Sequence, residues 1–201
     1  LAIATNSFDA GAQDDLLTVA TSVSVAQWVI APHLSEFNVL HPTIRLRFLS
    51  AIWPDDFNSA RADVEIRFGS KNQVEKNAEL LTPSKLVALK SPDLKGALED
   101  LPLIEAVGTS GGWRAWSQAS GSELHPRIFV DSFGMALHLA AQGNGVALVS
   151  ELLAGHALRS GTLELAHVAS VPSQEGYYLS ISDTNSVAEH FRNWLIAQLK
   201  S

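Results

Sequence analysis

Three hydroxyl side chains, Thr21, Ser22 and Ser24, follow the β-prone run Leu16-Leu17-Thr18-Val19-Ala20 and precede an apolar repeat of helical spacing. At such a strand-to-helix junction, free backbone amides and hydroxyls converge on the positive end of a helix dipole, a setting that suits a carboxylate or another anion. Plain N-capping needs only one of these hydroxyls, which leaves one or two as candidates for a ligand. Asp131-Ser132, followed by Phe133, repeats the arrangement after the apolar run Ile128-Phe129-Val130. Two such junctions facing across a cleft would hold a small polar ligand from both sides, outside the carboxyl ends of parallel strands. Two unrelated helix caps would leave the same pattern. Arg67 ends an alternating strand beside Phe68-Gly69, where a guanidinium reaches either a cleft or solvent. Asp55 and Asp56 fall in a polar connection after Trp53-Pro54, where simple solvation accounts for them. Tyr177 opens a later strand, with its hydroxyl at a core edge or in a cleft.

Catalytic patterns are not evident. The seven histidines (His33, His41, His125, His138, His156, His167, His190) contain no HExxH or HxxxH pair that would set two metal ligands on one helical face. Residue order alone does not assign a Ser-His-Asp site. Gly108-Thr109-Ser110-Gly111-Gly112 lacks the Lys-Ser/Thr of a phosphate loop, and Gly143-Asn144-Gly145 lacks the third glycine of a dinucleotide fingerprint, so both read as turns. Trp113 and Trp116, three apart on a helical turn, read as a packed pair, since no basic surround accompanies them as a base-stacking platform would require. No catalytic residue, metal or cofactor is assigned.

The elements that would position these residues alternate in type. Leu16–Ala20 reads as a strand, and Val25, Val29, Leu34, Phe37 and Leu40 carry a helix that His41-Pro42 ends. Ile44–Leu49 and Ala62–Phe68 alternate as strands with one wet face. Leu86–Leu89 starts a second apolar series after Thr82-Pro83. Ile128–Val130, a helix Met135–Gln142 capped by Asp131 or Ser132, and Val146–Val149 follow, then a helix Ser150–Arg159 and a strand Leu163–Leu165. Beyond Val171-Pro172-Ser173 come a strand Tyr177–Ile181 and a helix Val187–Leu199 with Val187, Phe191, Trp194, Leu195 and Leu199 on one stripe. Such alternation predicts parallel sheets covered by helices. Two crossings, at Thr82-Pro83 and near Ser173, predict that the last segment returns to the first unit. The expected fold is α/β, two Rossmann-like lobes with a central cleft and two crossover segments: 1–81 plus 173–201 as lobe I, 82–172 as lobe II.

At 201 residues, 46% hydrophobic and 17% charged, the chain has enough apolar material for a real core. Its net charge of -7 argues against gripping nucleic acid, because phosphate binding needs a basic face. The absence of cysteine removes disulfides and thiolate sites and suits a reducing cytoplasm. No run of about 18 apolar residues supports a membrane span. The opening Leu-Ala-Ile-Ala-Thr has no leader-like features and reads as cut from a longer chain.

The order of motifs resembles the regulatory domain of LysR-type transcriptional regulators, in the branch that includes the glycine-cleavage and β-lactamase regulators. Leu17-Thr-Val-Ala-Thr-Ser-Val-Ser24, Trp28, Pro32-His-Leu-Ser-Glu-Phe37 and His41-Pro-Thr-Ile-Arg-Leu46 are similar to that family's first strand, first helix and second strand. Asp63-Val-Glu-Ile-Arg-Phe-Gly69 looks like its "D-x-x-I-R-[FY]-G" signature. Trp113 and Trp116, the segment from Asp131-Ser132 to Gly143-Asn-Gly-Val-Ala-Leu148, and Phe191-Arg-Asn-Trp-Leu195 carry the rest. The resemblance covers nearly the whole chain and implies a periplasmic-binding-protein-like (type 2) fold with a small-molecule effector between the lobes. Thr21, Ser22, Ser24, Asp56, Arg67, Asp131, Ser132, Phe133 and Tyr177 are then the expected effector-binding residues. Phe133 stands where the β-lactamase regulators commonly have a second serine, so their muropeptide-type ligand is not carried over. The resemblance also implies a homodimer or homotetramer and DNA contact only through an N-terminal winged helix-turn-helix that this chain lacks. A free-standing solute-binding protein of a transporter would share the fold. An interaction module without effector would show a cleft closed by apolar side chains.

Overall fold

The computed structural model describes residues 16–51, 54–109, 111–182 and 185–200; Asp14, Asp15, Trp53 and Ser110 lie outside them. The first lobe begins with β1, Leu16–Thr21, and then a helical run in four pieces. These are α1 (Val23–Val25), a π turn over Ala26–Ile30, a 3-10 turn over Ala31–His33, and α2 (Leu34–Leu40). Pro32 explains the irregularity. It has no amide to give to the carbonyl four residues back, and the ladder slips, with the Ala31 amide bonding Ala26. After β2 (Arg45–Ser50), α3 (Pro54–Ala60) and β3 (Val64–Ser70), a short β4 (Glu79–Leu80) completes the first pass.

The second lobe runs β5 (Lys85–Lys90), a 3-10 turn over Leu98–Asp100, β6 (Leu103–Ala106), α4 (Gly112–Ser120), β7 (Ile128–Val130), α5 (Phe133–Ala141), β8 (Val146–Ser150), α6 (Glu151–Arg159) and β9 (Glu164–Pro172). The chain then returns as β10 (Glu175–Ile181) and ends on α7 (Ala188–Lys200). Each lobe has a five-stranded sheet, ordered β2-β1-β3-β10-β4 and β7-β6-β8-β5-β9. The crossings lie side by side, and the Ser173 amide bonds the Ser84 carbonyl at 2.9 Å.

Several expectations need correction. The sheets are mixed. β10 runs antiparallel to β3 and β4, and β5 runs antiparallel to β8 and β9, because a strand arriving from the other lobe enters from the opposite end. Asp55 and Asp56 are not in a loop. They occupy the first turn of α3, where carboxylates meet the positive end of the helix, and proline is well suited to the first helical position. β4 and β6 were not anticipated. Buried side chains form one main cluster through both lobes, from Leu17, Val25 and Ile30 in the first to Leu137, Leu153 and Val149 in the second. The expected pairing of Trp113 with Trp116 is found, with ring centroids 5.7 Å apart and the Trp113 indole donating to the Ile104 carbonyl.

Candidate functional site

On the first lobe, β1 delivers Thr21 and Ser22 to the start of the helical run. Thr21 is buried, and its hydroxyl donates to the Ile66 carbonyl on β3 at 3.3 Å. Ser22 is the cap, accepting from the Val25 amide at 3.3 Å, and it is also hydrogen-bonded to Tyr177 from β10. Burial pushes the Tyr177 hydroxyl pKa well above its ordinary range, with the Ser22 bond acting against that shift. Ser24, also buried, points away from its own helix.

On the second lobe, Ser132 caps α5 by accepting from the Met135 amide at 3.3 Å. Phe133 and Gly134 open the helix. Here the lobes meet: the Gly134 amide donates to the Ser24 hydroxyl at 2.9 Å in a buried contact spanning 110 residues of chain. Next to it Phe133, 6% exposed, sets its ring edge-on to Phe68 of β3 at 5.5 Å, and Phe68 packs on Tyr177 at 5.0 Å. The cleft is thus filled at this point by three aromatic rings and a direct bond between the two helix starts.

Six of the expected residues, Thr21, Ser22, Ser24, Ser132, Phe133 and Tyr177, therefore gather around one junction. Arg67 faces elsewhere, since neighbours on a strand point to opposite sides and Phe68 takes the side toward the second lobe. Its guanidinium pairs with Glu65 at 2.6 Å and covers the Phe57 ring of α3 at 4.5 Å. Asp56, beside Phe57, and Asp131, before the Ser132 cap, are exposed. The sequence reading did not single out Gly134 or Phe68. Gly134 carries a signal nevertheless, since glycine in the first turn of an apolar helix is costly unless something must come close.

A second contact between the lobes lies further along. The π turn packs against α6, and His33 meets His156 edge-on at 5.6 Å while its Nε2 lies 3.2 Å from an Arg159 amine. Arginine can only donate, so this ring nitrogen accepts and His33 is neutral here. Burial first, then the Arg159 and His156 charges, lower the His33 pKa, and Glu36 raises it. Two surface cavities lie away from the junction. One of about 320 Å³ is lined by Asn77, Glu79 and Arg192 among others, and one of about 440 Å³ by Glu105, Arg114 and Phe129 among others.

A family model described as the LysR substrate binding domain matches residues 10–200. The glycine cleavage system transcriptional activator homolog of Haemophilus influenzae is 27% identical over 215 residues, covering 94% of this chain and 70% of that protein. The transcriptional activator AmpR of Pseudomonas aeruginosa is 29% identical over 204 residues, covering 94% of this chain and 68% of that protein. Among solved structures, the effector domain of the Pseudomonas aeruginosa AmpR superposes with a TM-score of 0.72 at 25% identity, covering 92% of this chain and 96% of that one.

Proposed function

Given that the chain belongs to the LysR substrate-binding domain family and is the effector-binding domain of a LysR-type transcriptional regulator, we propose that it senses a small anionic metabolite held between Ser24 and Ser132. The observation that supports this is the meeting of the two helix starts. Ser22 and Ser24 from one lobe and Ser132 and the Gly134 amide from the other lie at one junction, where hydroxyls and oriented amides favour negative charge. The relatives' names describe regulators, which does not favour the transporter-type alternative, and no reaction is assigned to the junction.

The division into 1–81 plus 173–201 and 82–172, assembly as a homodimer or homotetramer, DNA contact through a separate winged helix-turn-helix and a cytoplasmic setting belong to the same reading. Among the described residues no helix is long and apolar enough to cross a membrane. In such a regulator the effector shifts the balance between two arrangements of subunits, which requires different affinities for the two.

The test is a thermal-shift screen of small carboxylic and phosphorylated metabolites. A ligand at a hundred times its Kd stabilises by about 2.7 kcal/mol, a rise of about 5–10 °C for a domain of this size. Ser24→Ala and Ser132→Ala should each cut that rise; if both leave it intact, the site is elsewhere. A module with no effector is the second reading, and the ring packing of Phe68, Phe133 and Tyr177 favours it. It predicts that no member of the screen shifts the melting temperature.

A further inference from the structure

We propose that the resting domain is latched shut on itself, with Phe133 as a built-in occupant of the effector position and the Ser24–Gly134 bond as the latch, so that any effector must first part the lobes. The regulatory meaning of the latch rests on the effector reading above; the closure itself does not.

A clamp that waits open presents unpaired polar groups across its gap. Here they are already paired. The hydroxyl of Thr21 bonds the Ile66 carbonyl, those of Ser22 and Ser132 cap their own helices, and that of Ser24 takes the Gly134 amide. A ligand anion would have to replace Ser24 on that amide, and its body would have to replace the Phe133 ring against Phe68.

The closeness of approach depends on position 134. A Cβ built there would stand 2.6 Å from the Ser24 hydroxyl oxygen, closer than real Cβ atoms come, and a tight 3.2 Å from the Ser24 Cα. Glycine therefore removes the one group that would hold the helix starts apart. Further out, the π turn on α6 and the His33–Arg159 contact close the same face. At the far side the crossing segments are tied by the Ser173–Ser84 bond, and the Leu81 amide bonds the Tyr177 carbonyl at 3.0 Å. These bonds make the hinge a paired ribbon.

The experiment uses spin labels and the unliganded 201-residue chain. It has no native cysteine, so Lys71→Cys on the first lobe and Glu99→Cys on the second, both exposed, take labels without background. Pulsed dipolar spectroscopy should give a single narrow distance for the otherwise unaltered chain. Phe133→Ala and Gly134→Ala, each shown folded by circular dichroism, should broaden and shift that distance, the first by unpacking the ring and the second by wedging the helix starts. Loss of one buried aromatic contact predicts a rise in the open fraction of about tenfold or more.

A broad or two-peaked distance in the unaltered chain would overturn the latch. So would a narrow distance kept by both folded variants. Should either variant fail to fold, the distance in the unaltered chain and that in Ser24→Ala, which loses only the acceptor of the latch, decide the matter. Because no ligand is added, failure of the metabolite screen and failure of the latch remain separate results.

Discussion

Glu105 shows how one side chain is held between opposing demands. Burial raises its carboxyl pKa, and the Trp113 amide, donating to it at 3.0 Å at the start of α4, lowers it by less. The folded state thus prefers the protonated form, and the stability this gives is present at low pH and lost as pH rises through the raised pKa. Glu105→Gln keeps an acceptor for Trp113 while removing the charge. It should melt higher at pH 7, by up to about 4 °C given partial exposure, and should flatten the pH dependence of the melting temperature in the acid range. A lower melting temperature at pH 7 would show that the carboxylate charge is favourable there. Residues of this kind were only partly legible in the sequence. Thr21, Ser22, Ser24 and Ser132 were found because hydroxyls at strand-to-helix junctions have a local signature. Phe68 and Gly134, which complete the junction, act through contacts between distant parts of the chain and leave a weaker one. Arg67 is a site candidate from its place at a strand end and by resemblance, and its pairing with Glu65 on the opposite side of β3 is invisible to spacing alone.

Among the elements, the strongly periodic ones were readable and the short ones were not. The helices α5, α6 and α7 carry their caps or apolar stripes in sequence. By contrast α3, only seven residues long, begins Pro-Asp-Asp, a string that reads equally well as a loop. Strand-helix alternation implies parallel pairing, and nothing local marks a strand that enters from the other lobe, so the antiparallel placement of β5 and β10 had to come from the structure. The connection from α5 to β8 depends on Gly145, whose φ of +150° is open to glycine and whose added Cβ would stand 2.4 Å from the Pro102 carbonyl oxygen. Gly145→Ala combines backbone strain with a backbone clash and should cost about 2–5 kcal/mol. Urea denaturation measures it; an unchanged midpoint would mean that this turn relaxes freely.

For the molecule as a whole, the contact between the lobes should respond to acid. Above the ordinary histidine pKa of about 6.5, His33 is neutral and accepts from Arg159. As pH falls below that value toward the lowered pKa of the closed state, protonation sets a positive ring beside Arg159 and His156, with Glu36 as the opposing charge. Closure is therefore complete above that range and weakens below it. The interlobe spin-label distance should broaden between pH 7.5 and 5.5, and His33→Gln should reduce the change. A distance that stays narrow across that range, or an equal response in the variant, would remove His33 from the mechanism.

The order of the strands also bears on how the protein comes into being during synthesis. The second sheet draws all five strands from one continuous stretch, 85–172, whereas the first needs β10 inserted between β3 and β4. On the ribosome the later-made lobe is the first that can be finished. The earlier-made one must wait, with β3 an unpaired edge, until β10 emerges.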